Sequence, residues 1–163
     1  MSYGGQDAVD YSTARGRDWP SVRQFSVFVQ NRVGSLMDLV RKIESSQNRI
    51  VALMVVDSAD CSIVRVVLSE PERACETFNL GKLPFYESDL LVVQIPAGSQ
   101  PLAQICKALL AAEINIHYAY PLLIEPKGHA GLAMMVDEHE TAVATLQKLG
   151  FKLFTEADLQ GTS

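Results

Sequence analysis

The amino-acid sequence predicts an α+β protein built from two βαββαβ modules, each an antiparallel sheet with its helices on one face. Two observations lead to this prediction. Strand-like and helix-like apolar periods alternate in the same order twice along the chain. The two halves also share a residue pattern, since Leu36 and Ile43 match Leu102 and Leu109 at an offset of about 66 residues. A chain of 163 residues is long enough for two small domains.

The first module begins with apolar residues that alternate with polar ones at positions 24–30, the period of a half-buried strand. The apolar residues between Leu36 and Ile43 then follow the spacing of a helix face. Ser69 is predicted to cap the next helix, because Pro71 suits a first turn and Glu72 stands at capping-box spacing. The remaining predicted elements are a buried strand at 49–56 and strands at 63–68 and 83–86.

The second module repeats this order of elements. Asp137 is predicted to cap its last helix, with Glu140 at capping-box spacing and Gly150 at the C-terminal end. The predicted elements are, in order, a strand at 90–95, a helix from Pro101, strands at 115–124 and 132–136, the helix that Asp137 caps, and a strand at 151–154.

The repeated order is that of the ferredoxin-like, split βαβ arrangement. A single sheet of this kind leaves its edge strands open, and two copies in one chain can pair them into a wider sheet. We therefore expect a first module at residues 23–88 and a second module at residues 89–163. Residues 1–22 are largely polar and contain glycine, and we expect them to form a flexible N-terminal arm.

Composition and charge argue against several classes of protein. The net charge is −5 at pH 7, which is unlike a nucleic-acid-binding protein. The longest apolar run, Ile50 to Val56, is far shorter than the ~20 residues of a membrane span and suits a buried strand. The N-terminus lacks the apolar segment of a signal peptide, and the three cysteines include no CxxC pair. We therefore expect a cytoplasmic protein with reduced thiols and no nucleic-acid or membrane partner.

No pattern of residues indicates a catalytic site, a metal or a cofactor. His117, His129 and His139 are predicted on a strand, in a turn and at a helix start, with no spacing that would bring them to one metal ion. The sequence also lacks the nucleophile elbow and the glycine-rich nucleotide motifs. Tyr118 and Tyr120 share one strand face, where they can either line a ligand pocket or pack under a helix.

Three segments together indicate a family. From Val27 to Leu36, an apolar strand is followed by Asn-Arg, a Gly and a Leu that starts the first helix. The segment Glu113 to Ile116 enters a strand through Asn-Ile, and Leu149 to Lys152 ends a helix through Leu-Gly-Phe. In this order and spacing the segments resemble the ACT domain over about residues 23–159. The resemblance implies a βαββαβ regulatory module that commonly binds an amino acid.

The resemblance implies a ligand site at the turn between the first strand and the first helix. Gly34 allows the backbone to approach a ligand, and the N–H groups at the start of the helix suit a carboxylate. Asn31 and Arg32 carry groups that bind an ammonium or a carboxylate. In the alternative interpretation, Asn31 caps the turn, Gly34 accommodates it and Arg32 is solvated. The predicted ligand-binding residues are Asn31, Arg32, Val33, Gly34, Ser35, Leu36 and, from the second module, Asn115.

Two departures from the ACT pattern reduce the expected number of sites. Val33 stands where many ligand-binding members have Pro, and residues 97–100 replace the Asn-Arg-x-Gly turn in the second module. We therefore expect one good site rather than two symmetric ones.

Taken together, the sequence predicts a regulatory protein that is not an enzyme. We expect it to bind an amino acid at an ACT module interface, to need no cofactor or metal, and to form a homodimer. An alternative interpretation is a regulatory subunit that binds an amino-acid metabolic enzyme and has no ligand of its own. A small enzyme on a ferredoxin-like sheet is a third interpretation, although no convergent acid, base or nucleophile supports it.

Overall fold

The computed structural model describes residues 19–160, so positions 1–18 of the predicted arm lie outside the described residues. The fold is α+β, as predicted, with β1 beginning at the last residue of the predicted arm. The elements are β1 (Val22–Gln30), α1 (Ser35–Ser45), β2 (Ile50–Asp57), β3 (Cys61–Leu68), α2 (Pro71–Leu80), β4 (Phe85–Gln94), α3 (Pro101–Ala111), β5 (Ile116–Pro121), a 3-10 turn (Pro126–Gly128), β6 (Gly131–Val136), α4 (His139–Lys148) and α5 (Glu156–Gln160).

The two modules share one six-stranded antiparallel sheet with the order β2-β3-β1-β4-β6-β5. This confirms the prediction that two copies pair into a wider sheet. The predicted strands at 83–86 and 90–95 are a single strand, however, and the expected boundary between residues 88 and 89 falls inside it. Its first half, through Leu90, pairs with β1, and Leu91–Gln94 pairs with β6. The residues between the two predicted strands stay extended because they continue the pairing with β1.

The sheet curls until its two edge strands meet at one end. The backbone N–H of Leu123, just after β5, donates a 2.7 Å hydrogen bond to the carbonyl of Val51 in β2. The edge position explains why the prediction of a buried strand at 49–56 is only half right. Val51 is buried, whereas Val55 and Val56 are exposed beyond the point where the edges meet.

Helices α1 to α4 lie on the outer face of the sheet, as predicted, and each module has its own core there, whereas the short helix α5 packs on the inner face through Leu159. The core of the first module is built around Phe25 and Phe78, and that of the second around Leu91 and Leu146. A third core fills the inner face of the curl and draws on both modules; its buried members are Val22, Val51, Ala52, Val67, Leu90, Val92, Tyr120, Ala133, Phe154 and Leu159. No helix within residues 19–160 is long and apolar enough to cross a membrane.

A buried glutamine joins the two modules on this inner face. Gln24 of β1 donates through Nε2 to Ser88 Oγ at 3.0 Å and to Tyr118 Oη at 2.7 Å. Its Oε1 accepts a 2.6 Å hydrogen bond from Tyr120 Oη. The guanidinium of Arg65 lies 4.7 Å from the centroid of the Tyr118 ring. The two tyrosines therefore share a face and pack, but they do so on the side opposite the helices.

Both predicted N-terminal helix caps, Ser69 and Asp137, are wrong. Helix α2 begins after Glu70 and α4 begins after Glu138, in both cases without a side-chain cap. Ser69 Oγ instead accepts a hydrogen bond from the backbone N–H of Arg49 at 2.9 Å. Asp137 Oδ1 accepts one from the backbone N–H of Asn115 at 3.0 Å. Each predicted capping side chain is used to hold the start of a strand, so the helix begins one residue later than the cap would place it.

The described part of the chain ends in a short helix, α5, which the sequence analysis did not predict. The predicted strand at 151–154 is reduced to a single bridge between Leu153 and Val93. Helix α5 follows at once, held by reciprocal hydrogen bonds between Thr155 and Asp158 at 2.9 and 3.3 Å. Glu156 of α5 accepts a 3.0 Å hydrogen bond from Arg23 of β1, which holds α5 against the first module.

Candidate functional site

The turn between β1 and α1 is built for a close approach of backbone to ligand. Gly34, at the N-terminal cap of α1, has φ = +90°, a conformation that side chains with a Cβ rarely adopt. No side chain caps the start of α1 among the described residues. The first N–H groups of α1 therefore have no side-chain partner and can donate hydrogen bonds to an anionic group.

A cleft of about 520 Å³ lies beside this turn. One wall is the face of α1 that carries Ser35, Leu39 and Lys42, and the opposite wall is the segment Leu83–Pro84 that leads into β4. The ends of two paired strands, β1 and β3, form its floor. Its lining residues are Phe28, Val29, Gln30, Arg32, Ser35, Asp38, Leu39, Lys42, Asp60, Cys61, Leu83 and Pro84.

The cleft combines charges of both signs with an apolar surface. Arg32 and Lys42 supply two cations, and Asp38 and Asp60 supply two carboxylates. Arg32 Nε donates to Gln30 Oε1 at 3.1 Å, and its Nη2 lies 3.9 Å from Asp38 Oδ2. Because Arg32 and Asp38 are each more than half exposed, this pairing is weak, and both groups can turn toward a ligand at little cost.

The structure brings six of the seven predicted site residues together on the turn. Arg32 and Ser35 line the cleft, whereas Val33 and Leu36 are exposed and do not line it. Asn31 Nδ2 donates to the carbonyl of Ser58 at 3.3 Å and so ties the turn to the β2–β3 connection.

Asn115, the seventh predicted residue, lies elsewhere in the fold. It stands just before β5, and strands β4 and β6 separate β5 from β1 in the sheet. Its backbone N–H donates to Asp137 of the second module. The structure therefore does not bring Asn115 to the β1–α1 turn.

Four lining residues that the sequence reasoning missed carry much of the chemistry of the cleft. Asp38, Leu39 and Lys42 follow Ser35 at i+3, i+4 and i+7, so they share one face of α1, and this spacing is visible in the sequence. No local sequence pattern indicates that Asp60 lines the cleft. It reaches the cleft because Cys61, the next residue, pairs with Gln30 across the sheet.

The second module has a smaller counterpart of this cleft, with a volume of about 260 Å³. Its turn adopts left-handed backbone at Gly98 and at Gln100, but its only charged lining residue is Lys152. The other lining residues are Gln94, Pro96, Gln104, Leu149, Gly150 and Phe151. The two modules thus differ in the charge and the size of the matching cleft.

Within residues 19–160, no three His, Cys, Asp or Glu side chains come close enough together to hold a metal ion.

Comparisons with known proteins agree with the fold. A family model described as an ACT domain pair matches residues 20–161. No curated protein matches the chain. A crystal structure of a protein from Bacteroides thetaiotaomicron is 20% identical and has a TM-score of 0.78, with 87% of this chain and 97% of that chain covered.

A second structure is the ligand-free regulatory subunit of aspartate kinase from Thermus thermophilus. It is 8% identical and has a TM-score of 0.53, with 82% of this chain and 95% of that chain covered. At these identities the two structures support the fold alone. The family match covers most of the chain, and the chain belongs to the ACT domain pair family.

Proposed function

We propose that this chain is a non-catalytic regulatory protein that binds a free α-amino acid in the cleft beside the β1–α1 turn. The observation that carries the proposal is a single cleft with cations, carboxylates and an apolar wall. Its volume, about 520 Å³, is within the ~300–1,000 Å³ typical of small-molecule sites. An α-amino acid is a zwitterion with one side chain, and it needs these three kinds of surface together.

The lining residues suggest how such a ligand is held. The α-carboxylate is placed at the first turn of α1, where the helix dipole is positive, with Arg32 as its counter-ion. The α-ammonium is placed between Asp38 and Asp60. The side chain then points toward Leu39 and Leu83, which form the apolar part of the cleft.

Regulation follows if the ligand has different affinities for two states of the protein. A ligand shifts an equilibrium only through such a difference. Membership of the ACT domain pair family supports a role of this kind without identifying the ligand. At a concentration one hundred times its Kd, a ligand stabilises the folded state by about 2.7 kcal/mol.

The test is thermal unfolding in the presence of each of the twenty amino acids. At a hundredfold excess over Kd, the expected rise in Tm is roughly 5–11 °C for a chain of this size. Arg32→Gln should reduce the rise, because it removes the counter-ion of the carboxylate. Arg41→Gln is the matched control, since Arg41 is an exposed cation on α1 that does not line the cleft. An equal rise in Tm for both variants, or no rise in Tm with any of the twenty amino acids, would contradict the proposal.

A second function is favoured by the exposed apolar rim of the same turn. Val33 is 99% exposed, and Leu36 and Met37 next to it are also exposed. Such a rim suits a partner protein, for example an amino-acid metabolic enzyme, with no ligand in the cleft. This function predicts that Val33→Asp abolishes co-purification of a stoichiometric enzyme, while the amino-acid panel leaves Tm unchanged.

A further inference from the structure

One charged side chain lies on the inner face of the curled sheet. Among the described strand positions that face the inside of the curl, Arg65 of β3 is the only charged residue. Val67, two residues along the same strand, belongs to the inner core, so Arg65 points to the same side. The Arg65 side chain is partly buried, and its guanidinium lies 4.7 Å from the centroid of the Tyr118 ring. Buried arginines are normally paired with a carboxylate.

Arg65 has no carboxylate partner in the part of the chain that the structure describes. The ion pairs there join other residues. Its Nη1 donates to Ser26 Oγ at 3.0 Å and to Tyr86 Oη at 3.4 Å, and both of these partners are hydroxyl groups. The Nε atom is buried and has no hydrogen-bond acceptor among the described residues. Because a buried donor without an acceptor is costly, an acceptor that a ligand brings to this atom gains the full benefit of the hydrogen bond.

The second edge of the Arg65 guanidinium has the geometry that binds a carboxylate. Nε and Nη2 lie on the same side of the planar group, and the hydrogen bonds described for Arg65 all use Nη1. Two parallel N–H groups at this edge match the two oxygens of a carboxylate in a bidentate pair. The Nη1 bonds and the contact with the Tyr118 ring hold the guanidinium in place, so little side-chain freedom is lost when an acid binds.

Aromatic side chains next to Arg65 supply an apolar surface that solvent reaches. Tyr86 is 45% exposed, and its ring centroid lies 5.7 Å from that of Phe28 on the neighbouring strand β1. A hydrogen bond from Ser26 and, to a lesser extent, Arg65 lower the pKa of the Tyr86 phenol, although its partial burial opposes this. This part of the inner face therefore combines an apolar surface with surroundings that favour a negative charge on oxygen.

The inner face is unsuited to a ligand that carries an ammonium group. Helix α5 packs on this face, but its carboxylates Glu156 and Asp158 are already paired with Arg23 and Lys127. An ammonium group beside Arg65 would meet a like charge, and no described carboxylate on the strands would compensate for it. The cleft at the β1–α1 turn differs in this respect, because two carboxylates line it.

We propose that the surface formed by Arg65, Tyr86 and Phe28 is a second binding site, which takes a small carboxylic acid without an ammonium group. The carboxylate pairs with Nε and Nη2 of Arg65, and the apolar part of the acid packs on the rings of Phe28 and Tyr86. Tyr118 Oη accepts a hydrogen bond from Gln24, so its own proton is available to the ligand. Phe28 also lines the cleft, but Arg65 and Tyr86 do not, and the inference does not depend on the proposed amino-acid ligand.

The first experiment is an amide NMR titration with three compounds that differ in a single group. Phenylacetate has a carboxylate and an aromatic ring, phenylacetamide lacks the charge, and phenylglycine adds an ammonium group at the α-carbon. Phenylacetate should give saturable shifts that are largest for the amides of Ser26, Arg65 and Tyr86, and the other two compounds should leave these amides nearly unchanged. No shifts with phenylacetate, or equal shifts with phenylacetamide, phenylglycine or inorganic phosphate, would overturn the proposal.

Variants of Arg65 test the pairing itself. Arg65→Gln should weaken phenylacetate binding about 10- to 100-fold, the loss expected for a hydrogen bond to a charged group. Arg65→Lys keeps the charge without the two parallel donors and should also weaken binding, which keeps the test valid if circular dichroism shows that Arg65→Gln is unfolded. Arg41→Gln is the matched control, because Arg41 is exposed on α1, and it should bind phenylacetate like the native chain. Native affinity in the folded Arg65 variants would overturn the proposal.

A third experiment asks whether the chain itself supplies the carboxylate. A variant with Asp7, Asp10 and Asp18 replaced by Asn should bind phenylacetate with the native affinity. Binding that occurs only in this variant would assign the occupant to a carboxylate of residues 1–18 and overturn the proposal of a free acid. The amino-acid panel applied to Arg65→Gln should still raise Tm, so a failure of this site can be told from a failure of the cleft.

Discussion

The junction between the two modules should be sensitive to the loss of one buried amide, that of Gln24. Gln24 is fully buried and makes three hydrogen bonds, to Ser88, Tyr118 and Tyr120. Burial raises the pKa of the Tyr120 phenol above its usual range, so at pH 7 this phenol is protonated and donates to Gln24. Gln24→Leu keeps the approximate size of the side chain and removes all three bonds.

The expected cost follows from these contacts. Each hydrogen bond contributes about 1 kcal/mol net, and a buried donor left without an acceptor costs about 1–3 kcal/mol. The apolar leucine offsets part of this loss through its own burial. We therefore expect Gln24→Leu to lower the free energy of unfolding by about 2–3 kcal/mol, or to lower Tm by roughly 4–12 °C.

A double-mutant cycle with Tyr120→Phe tests the physical reason. Urea unfolding of the two single variants and of the double variant gives the coupling between Gln24 and Tyr120. If the orphaned hydroxyl of Tyr120 causes the loss, the double variant should be more stable than the sum of the single effects predicts, by about 1–2 kcal/mol. Additive effects, or a neutral Gln24→Leu, would refute the reasoning.

Three further effects follow from individual contacts. Gly131→Ala should destabilise the protein by about 1–3 kcal/mol in urea unfolding, because a Cβ would lie 2.7 Å from Leu122 Cδ1. Gly34→Ala should cost about 1–2 kcal/mol in the same assay, since its φ of +90° strains a residue with a Cβ although the space around it is open. Partial burial alone would raise the pKa of Asp158, but hydrogen bonds from Lys127 and from the Thr155 amide lower it overall. Asp158→Asn should therefore lower the free energy of unfolding at pH 7. The difference in stability from the native chain should disappear as the pH falls below about 4. A carboxyl group whose pKa is lowered by folding stabilises the protein only while it is ionised, above that pH.

For each of these three predictions, one experimental result would contradict it. A Gly131→Ala variant as stable as the native chain would mean that the Leu122 side chain moves away from the new Cβ at no cost in stability. Gly98→Ala is the control for Gly34→Ala: its φ is +105° in equally open space, so the two costs should be similar. A stability difference for Asp158→Asn that is constant from pH 3 to pH 7 would exclude the carboxylate as its cause.

The fold was predictable because the sequence repeats its own pattern. The alternation at 24–30 and the helical spacing from Leu36 to Ile43 depend on contacts within single elements, and such contacts leave a local period in the sequence. The matching pattern at Leu102 and Leu109 then fixed the number of modules. These features correspond to elements that the structure contains.

The parts that were wrong depend on contacts between distant segments. Ser69 and Asp137 have the residue types of helix caps, but each is used by the start of a strand far away in the sequence. The continuity of β4 depends on its pairing with β1, which no local pattern encodes. Helix α5 is different, since Thr155 and Asp158 have capping-box spacing and its start was visible in the sequence.

In the candidate site, too, local patterns were predictable and long-range contacts were not. The turn from Asn31 to Leu36 carries a local motif, and its left-handed glycine was predictable. Lys42 could also have been predicted, because it lies on the same face of α1 as Ser35. Asp60, by contrast, enters the cleft only through the pairing of β1 with β3, and the separation of Asn115 from the turn depends on the strand order of the whole sheet.

The most direct test of the central claim is a two-dimensional amide NMR titration with the amino acid that raises Tm most. We expect saturable shifts that are largest for the amides of Ser35, Asp38 and Asp60, beside the β1–α1 turn. The amides of Gly98 and Gln104, at the matching cleft of the second module, should remain nearly unchanged. Shifts centred on the second module, or none for any amino acid, would contradict an amino-acid site at this turn.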